Sequence, residues 1–204
     1  MQPTPTRPTI VYLHGFRSSP ASVKAAAVAA AVAALPEPVR PWLHVPALDT
    51  CPARAVAAVE TWIRGNVATP EQSLTLVGSS LGGFYATHLA ERLGTKAVLI
   101  NPAICPYDDL AQYAGPQTNL HTGAPFVVEE SHFDELRALA VTRITRPSCY
   151  FLMVQSGDEV LDWREAVAFY GGAFQHVEGG GDHAFRGFEA RMPSILRFAG
   201  VADG

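Results

Sequence analysis

An α/β architecture, a mostly parallel six-stranded sheet with helices on both faces, is predicted by two features of the sequence. Apolar runs of strand length alternate with stretches of helical character along the chain. Most of these runs are also too continuously apolar to leave one face in water, as expected for parallel strands covered on both sides. With 204 residues, of which 48% are hydrophobic and 17% charged, the chain has the length and composition of one packed domain. No internal repeat or low-complexity linker divides it.

The elements follow in order. TIVYL at 9–13 reads as the first strand, and a helix over 22–35 is bounded by Pro20 and Pro36. LHVPA at 43–47 is the second strand, followed by a helix over 53–63 behind Pro52. LTLVG at 74–78 and AVLIN at 97–101 are strands on either side of a helix over 81–93, which Gly94 closes. CYFLMVQ at 149–155 and FQHV at 174–177 complete the six strands, with helices over 164–170 and 187–198. Between the fourth and fifth strands, residues 102–147 exceed any ordinary connection, and only 131–140 reads as helix. An insertion of that size is expected to form a small cap or one wall of a pocket.

Several function classes are disfavoured by composition. A net charge of −4 with scattered basic residues offers no field for a polyanion, so nucleic-acid binding is not expected. The longest apolar run, 25–35, is too short to span a bilayer, and the opening residues 1–9 lack the apolar core of a secretory signal. Cys51, Cys105 and Cys149 match neither a disulfide framework nor a zinc pattern, and this fits a reducing, cytoplasmic setting.

Chemistry concentrates around Gly78-Ser79-Ser80-Leu81-Gly82, a G-x-S-x-G placed between a predicted strand and a predicted helix. Ser80 is the serine with glycines two residues to either side, so it is the candidate nucleophile and Ser79 is expected to point elsewhere. The plainer reading is a glycine-rich turn that only packs tightly. A hydroxyl nucleophile needs a base oriented by an acid. On folds with this turn the partners follow as Ser, acid, His, each after a later strand. Asp158 in QSGDEVLD and His183 in EGGGDHAF occupy those places.

Other residues have structural explanations. Asp162, with Glu165 three residues on, reads as a helix-capping box and is the second candidate acid; Glu159 is the reserve. Asp182 is expected to shape the loop of the base. His176 falls inside a strand, His88 on a helix, and His44, His121 and His132 lack any motif. The loop after the first strand holds His14, Gly15 and Phe16; there the Phe16 amide, with that of Leu81, is the expected oxyanion hole, and His14 is expected to brace the loop. Tyr107, Tyr113, Phe126 and Phe133 in the insertion are expected to line a modest apolar pocket or to pack it onto the sheet.

The segments YLHGFRSSPAS, LVGSSLGGFYATHLAE, INPA, GDEVLDWREA and GGGDHAFRGFE, with the cap passage TNLHTGAPFVVEESHFDEL, resemble the small YqiA-like esterases (the UPF0227 family) of the alpha/beta-hydrolase superfamily. The resemblance extends over nearly the whole chain. It implies an esterase or thioesterase acting on short acyl groups, with Ser80, Asp158 and His183 as catalytic triad. The expected partner is a small ester or thioester, with no metal and no cofactor. A catalytically silent binding protein and an acyltransferase using the same residues stand as alternatives.

Overall fold

Strand β1 (Thr9–Leu13) lies inside the sheet, every one of its residues buried. This is the arrangement in the computed structural model of the chain, which describes residues 7–201. In chain order there follow α1 (Val23–Ala33), β2 (Trp42–His44), α2 (Pro52–Asn66), α3 (Pro70–Ser73), β3 (Leu74–Ser79), α4 (Leu81–Leu93) and β4 (Lys96–Ile100). The remaining elements are α5 (Pro106–Asp109), β5 (Gly115–Thr118), β6 (Pro125–Val128), α6 (Glu130–Leu139), β7 (Tyr150–Gln155), α7 (Trp163–Phe169), β8 (Phe174–Glu178) and α8 (Met192–Phe198).

Six strands form the main sheet in the order β2-β1-β3-β4-β7-β8, and every neighbouring pair is parallel. The two faces separate residue by residue, as a period of two requires. Val11, Leu13, Leu76, Ala97, Leu99, Leu152 and Val154 pack against α2, α4, α6 and α7. Ile10, Tyr12, Val77, Val98, Ile100 and Met153 pack against α1 and the chain end from Phe185 to Val201. Burial on both faces is why the strands read as continuous apolar runs rather than alternating ones.

The helices start and stop for local reasons. The Ser22 hydroxyl accepts the Ala25 N–H at the head of α1, a side-chain N-cap. At the end of α4, Gly94 takes the left-handed conformation at φ 75°, which costs glycine no Cβ clash. β2 ends at His44, before Pro46, which has no N–H for a ladder. The expected last helix is divided: residues Phe188–Arg191 form a tight 3-10 turn and the α-helix begins only at Met192. Pro193 stands in the first turn of that helix, where its missing N–H costs nothing.

Residues 102–147 hold α5, a two-stranded antiparallel hairpin of β5 and β6, and α6. α6 docks through Phe133 and Leu136 on the same core face as α2 and α4. Among the described residues no helix is long and apolar enough to cross a membrane.

Leu99, fully buried in β4, tests the energetic weight of the face covered by α2, α4, α6 and α7. Leu99→Ala is expected to lower unfolding free energy by about 2–5 kcal/mol, read from urea denaturation midpoints.

Candidate active site

Ser80 joins β3 to α4 at φ 54° and ψ −123°, a backbone region that residues with a Cβ rarely occupy. The surroundings hold it there. Its N–H donates to the Ile100 carbonyl at 3.0 Å, and its own carbonyl accepts the N–H groups of Gly83 at 2.8 Å and Ala103 at 3.2 Å. Glycine is required on either side because the backbones touch. A Cβ on Gly78 would collide with the Gly82 carbonyl oxygen, and one on Gly82 with the Leu13 carbonyl oxygen. Ser79 belongs to β3, is buried, and hydrogen-bonds to Tyr12 rather than facing the cleft.

The loops after β7 and β8 bring two further side chains to this turn. Nε2 of His183 is 3.1 Å from the Ser80 Oγ, and its Nδ1 is 2.8 Å from Oδ2 of Asp158 and 3.0 Å from Oδ1. The Asp158 side chain is 1% exposed, and its Oδ1 also accepts the N–H groups of Val160 and Leu161, both at 2.9 Å. Burial pushes this carboxyl up. The His183 bond and charge, together with the two amides, outweigh burial and hold it below its ordinary value.

The other acids serve different purposes. Asp162 caps α7, its Oδ1 accepting the Arg164 N–H at 2.9 Å. The bond falls at the second helical residue rather than the third, so the cap is present without the box expected from Glu165. Glu159 accepts the backbone N–H of His183 at 3.0 Å. Asp182 pairs with Arg186 at 3.2 Å.

On the other side of Ser80 runs the loop after β1. Gly15 is so close that an added Cβ would stand 3.2 Å from the Ser80 Cβ and 3.3 Å from the Ser79 carbonyl. His14 is buried, and its Nδ1 meets the Gly15 carbonyl at 3.0 Å while its Nε2 accepts the Leu48 N–H at 3.3 Å. Burial lowers its pKa, so the neutral ring, one nitrogen donating and one accepting, suits both contacts. The Phe16 and Leu81 amides donate to no other group among the described residues.

Two small clefts meet at Leu81. One, of about 110 Å³, is lined by Ser80, Ala103, Asp109, Tyr113, Val160 and Leu161 among others. The second, of about 70 Å³, is lined by Phe16, Arg17, Leu48, Tyr85, Asn119 and Phe126 among others.

A family model described as "Uncharacterised protein family (UPF0227)" matches residues 9–200. The chain belongs to UPF0227. Solved structures share its fold at low sequence identity. A protein from Agrobacterium vitis S4 is 18% identical with a TM-score of 0.76, the match covering 96% of this chain and 88% of that one. Mouse alpha/beta hydrolase domain-containing protein 10 is 17% identical at TM-score 0.69, covering 94% and 90%. The esterase domain of a Rhodothermus marinus protein is 17% identical at TM-score 0.65, covering 97% and 90%. The fold of this UPF0227 chain is the alpha/beta-hydrolase fold.

Within the UPF0227 chain, not every residue singled out in the sequence reaches the clefts. Tyr113 and Phe126 do, their rings 5.5 Å and 5.9 Å from that of Phe16. Tyr107 does not line either cleft; its ring lies under the Arg137 guanidinium at 5.4 Å and its hydroxyl meets Cys105. The reason is α5, which turns Tyr107 towards α6 instead of Ser80. Phe133 is core. His44 stacks on Trp62, His88 binds the Leu139 carbonyl, His132 caps α6, and His176 pairs with Glu178.

Two buried amides, Asn101 and Gln155, were not identified as site residues, although each ends a predicted strand. Asn101 Nδ2 donates to the carbonyls of Asp182 and His183 at 3.0 and 3.2 Å, and its Oδ1 accepts the Gln155 N–H. Gln155 Oε1 accepts the N–H groups of Asp182 and Arg186, and its Nε2 donates to the Arg186 carbonyl. The only signal was polarity at the end of an apolar strand, where a buried amide must be satisfied by something outside the sheet.

Because the Asp158 pKa lies below its ordinary 3.8, its ionisation contributes stability that is complete above that pH and is lost as pH falls through the folded value. Asp158→Asn is expected to be destabilised at pH 6 by about 1–3 kcal/mol, and the gap in urea midpoint is expected to narrow towards pH 3. A pH-independent gap would contradict this account.

Proposed function

We propose that this chain is a serine esterase that hydrolyses short-chain carboxylic esters, with thioesters accessible to the same chemistry. The supporting observation is the continuous chain of contacts from Ser80 Oγ through the His183 imidazole to Asp158, on a turn that presents the hydroxyl at the carboxyl ends of parallel strands.

In this reading His183 Nε2 takes the proton of Ser80 as Oγ attacks the ester carbonyl, whose π electrons move onto oxygen. The oxyanion is bound by the N–H groups of Phe16 and Leu81. Collapse re-forms the carbonyl and expels the alcohol or thiol, which receives the proton from His183. Water then repeats the sequence on the acyl-serine and releases the carboxylic acid. Asp158 holds the imidazole with Nδ1 protonated and balances the imidazolium charge. Protein groups and water carry every step of the proposed reaction. Residues 102–147 act as a cap over the site in this reading, and the whole chain as one domain.

Short acyl groups are favoured on size. Clefts of about 110 and 70 Å³ fall well below the roughly 300–1,000 Å³ of sites that enclose drug-sized ligands.

Ser80→Ala is expected to reduce hydrolysis of p-nitrophenyl butyrate by roughly 10⁴-fold or more with thermal unfolding nearly unchanged; turnover retained in that variant sinks the assignment. Across p-nitrophenyl esters from C2 to C16, kcat/KM is expected to peak among the shortest chains, and a maximum at C12 or beyond contradicts the size argument.

A further inference from the structure

The loop that carries Phe16 is held from outside. Arg17, the next residue, sits at φ 55°, in the left-handed region that side chains disfavour. Three hydrogen bonds tie this stretch to the β5–β6 hairpin. The Arg17 carbonyl accepts the Leu120 N–H at 2.8 Å, Arg17 Nε donates to the Thr118 carbonyl at 3.0 Å, and Asn119 Nδ2 donates to the Ser18 carbonyl at 2.7 Å. The hairpin also packs on Phe16 through the Phe126 ring.

Asn119 has two tasks. Its Oδ1 accepts the N–H groups of His121 and Thr122 at 2.9 and 3.0 Å, forming the Asx turn that closes the hairpin. Its amide nitrogen reaches out of that turn to Ser18. A side chain that accepts from the turn and donates to the loop must carry both an oxygen and an N–H, as asparagine does.

We propose that Asn119 is a positioning residue for the oxyanion hole: by locking the Ser18 carbonyl to the hairpin turn it sets the direction of the Phe16 N–H, two residues away. The inference rests on the reading of Phe16 as an oxyanion donor. Without this bond only the ties from Arg17 to Leu120 and Thr118 oppose relaxation of its left-handed φ, and any such relaxation moves the peptide units before it. Displacements of about 1 Å at reacting groups cost on the order of a hundredfold in rate. The hairpin thereby belongs to the catalytic geometry as well as to the wall of the cleft.

Asn119→Asp separates the two tasks. The carboxylate still accepts both turn amides, but it has no N–H for Ser18 and turns an oxygen towards that carbonyl. The expected result is a roughly ten- to hundredfold fall in kcat on p-nitrophenyl butyrate, with KM and Tm little changed. Inactivation by a fluorophosphonate should slow in the same proportion, because its phosphoryl oxygen uses the same donors. Asn119→Ser, whose hydroxyl keeps the turn but is too short to reach Ser18, is expected to behave alike, and it serves if the aspartate variant does not fold. Wild-type kcat in either folded variant, or a loss confined to KM, overturns the proposal. Ser80→Ala measured alongside separates the two levels. Activity surviving there defeats the reading of the site, whereas an inactive Ser80→Ala beside an unimpaired Asn119→Asp defeats the latch alone.

Discussion

The contact on which the rest of the site depends is between main chains. Gly82 lies against the Leu13 carbonyl and Gly78 against Gly82, so β1, β3 and the first turn of α4 meet with no side chain between them. That closeness leaves Ser80 its left-handed backbone as the way to connect strand to helix. It also brings the loop after β1 so near to Ser80 that a single Cβ added on Gly15 would press on its side chain. Strain at one residue is tolerated because the surrounding sheet, whose central strands are buried on both faces, over-determines it.

The imidazole is positioned by a different device. Residues 179–187 make no regular structure around His183, and that loop is anchored by the buried Phe185 ring and by two amides at the ends of β4 and β7. Asn101 and Gln155 are 2% and 1% exposed, and between them they satisfy backbone groups of Asp182, His183 and Arg186. Glu159 adds a bond to the His183 amide. The serine is thus fixed by backbone packing, and the histidine by buried side-chain hydrogen bonds whose loss leaves unpaired groups on both partners.

What could be read in the sequence depended on whether the determinant was local. β1 and α4 match their expected bounds because an apolar run and a closing glycine are signals within a few residues. Ser80, Asp158 and His183 stood out because their motifs lie at strand ends and in a fixed order. The β5–β6 hairpin did not. Its strands, GPQT and PFVV, are four residues each, contain Pro116 and Pro125, and pair only with each other, so no periodicity marks them. For Tyr107 the choice between lining a pocket and packing the insertion stayed open for a related reason: an aromatic residue in an unread segment has no face until the short helix carrying it is placed. The roles of Asn101 and Gln155 depend on a loop some eighty and thirty residues further along, beyond the reach of any local pattern.

The separation of 103 residues between Ser80 and His183 bears on how the protein comes off the ribosome. The strands up to β4 can associate once their own residues have emerged, but the base follows only after edge strand β8. A nascent chain therefore carries the elbow serine through 103 residues of synthesis without the group that would take its proton. Hydrolytic power, in the proposed reading, is withheld from a nascent chain until the segment after β8 has emerged and docked on the sheet.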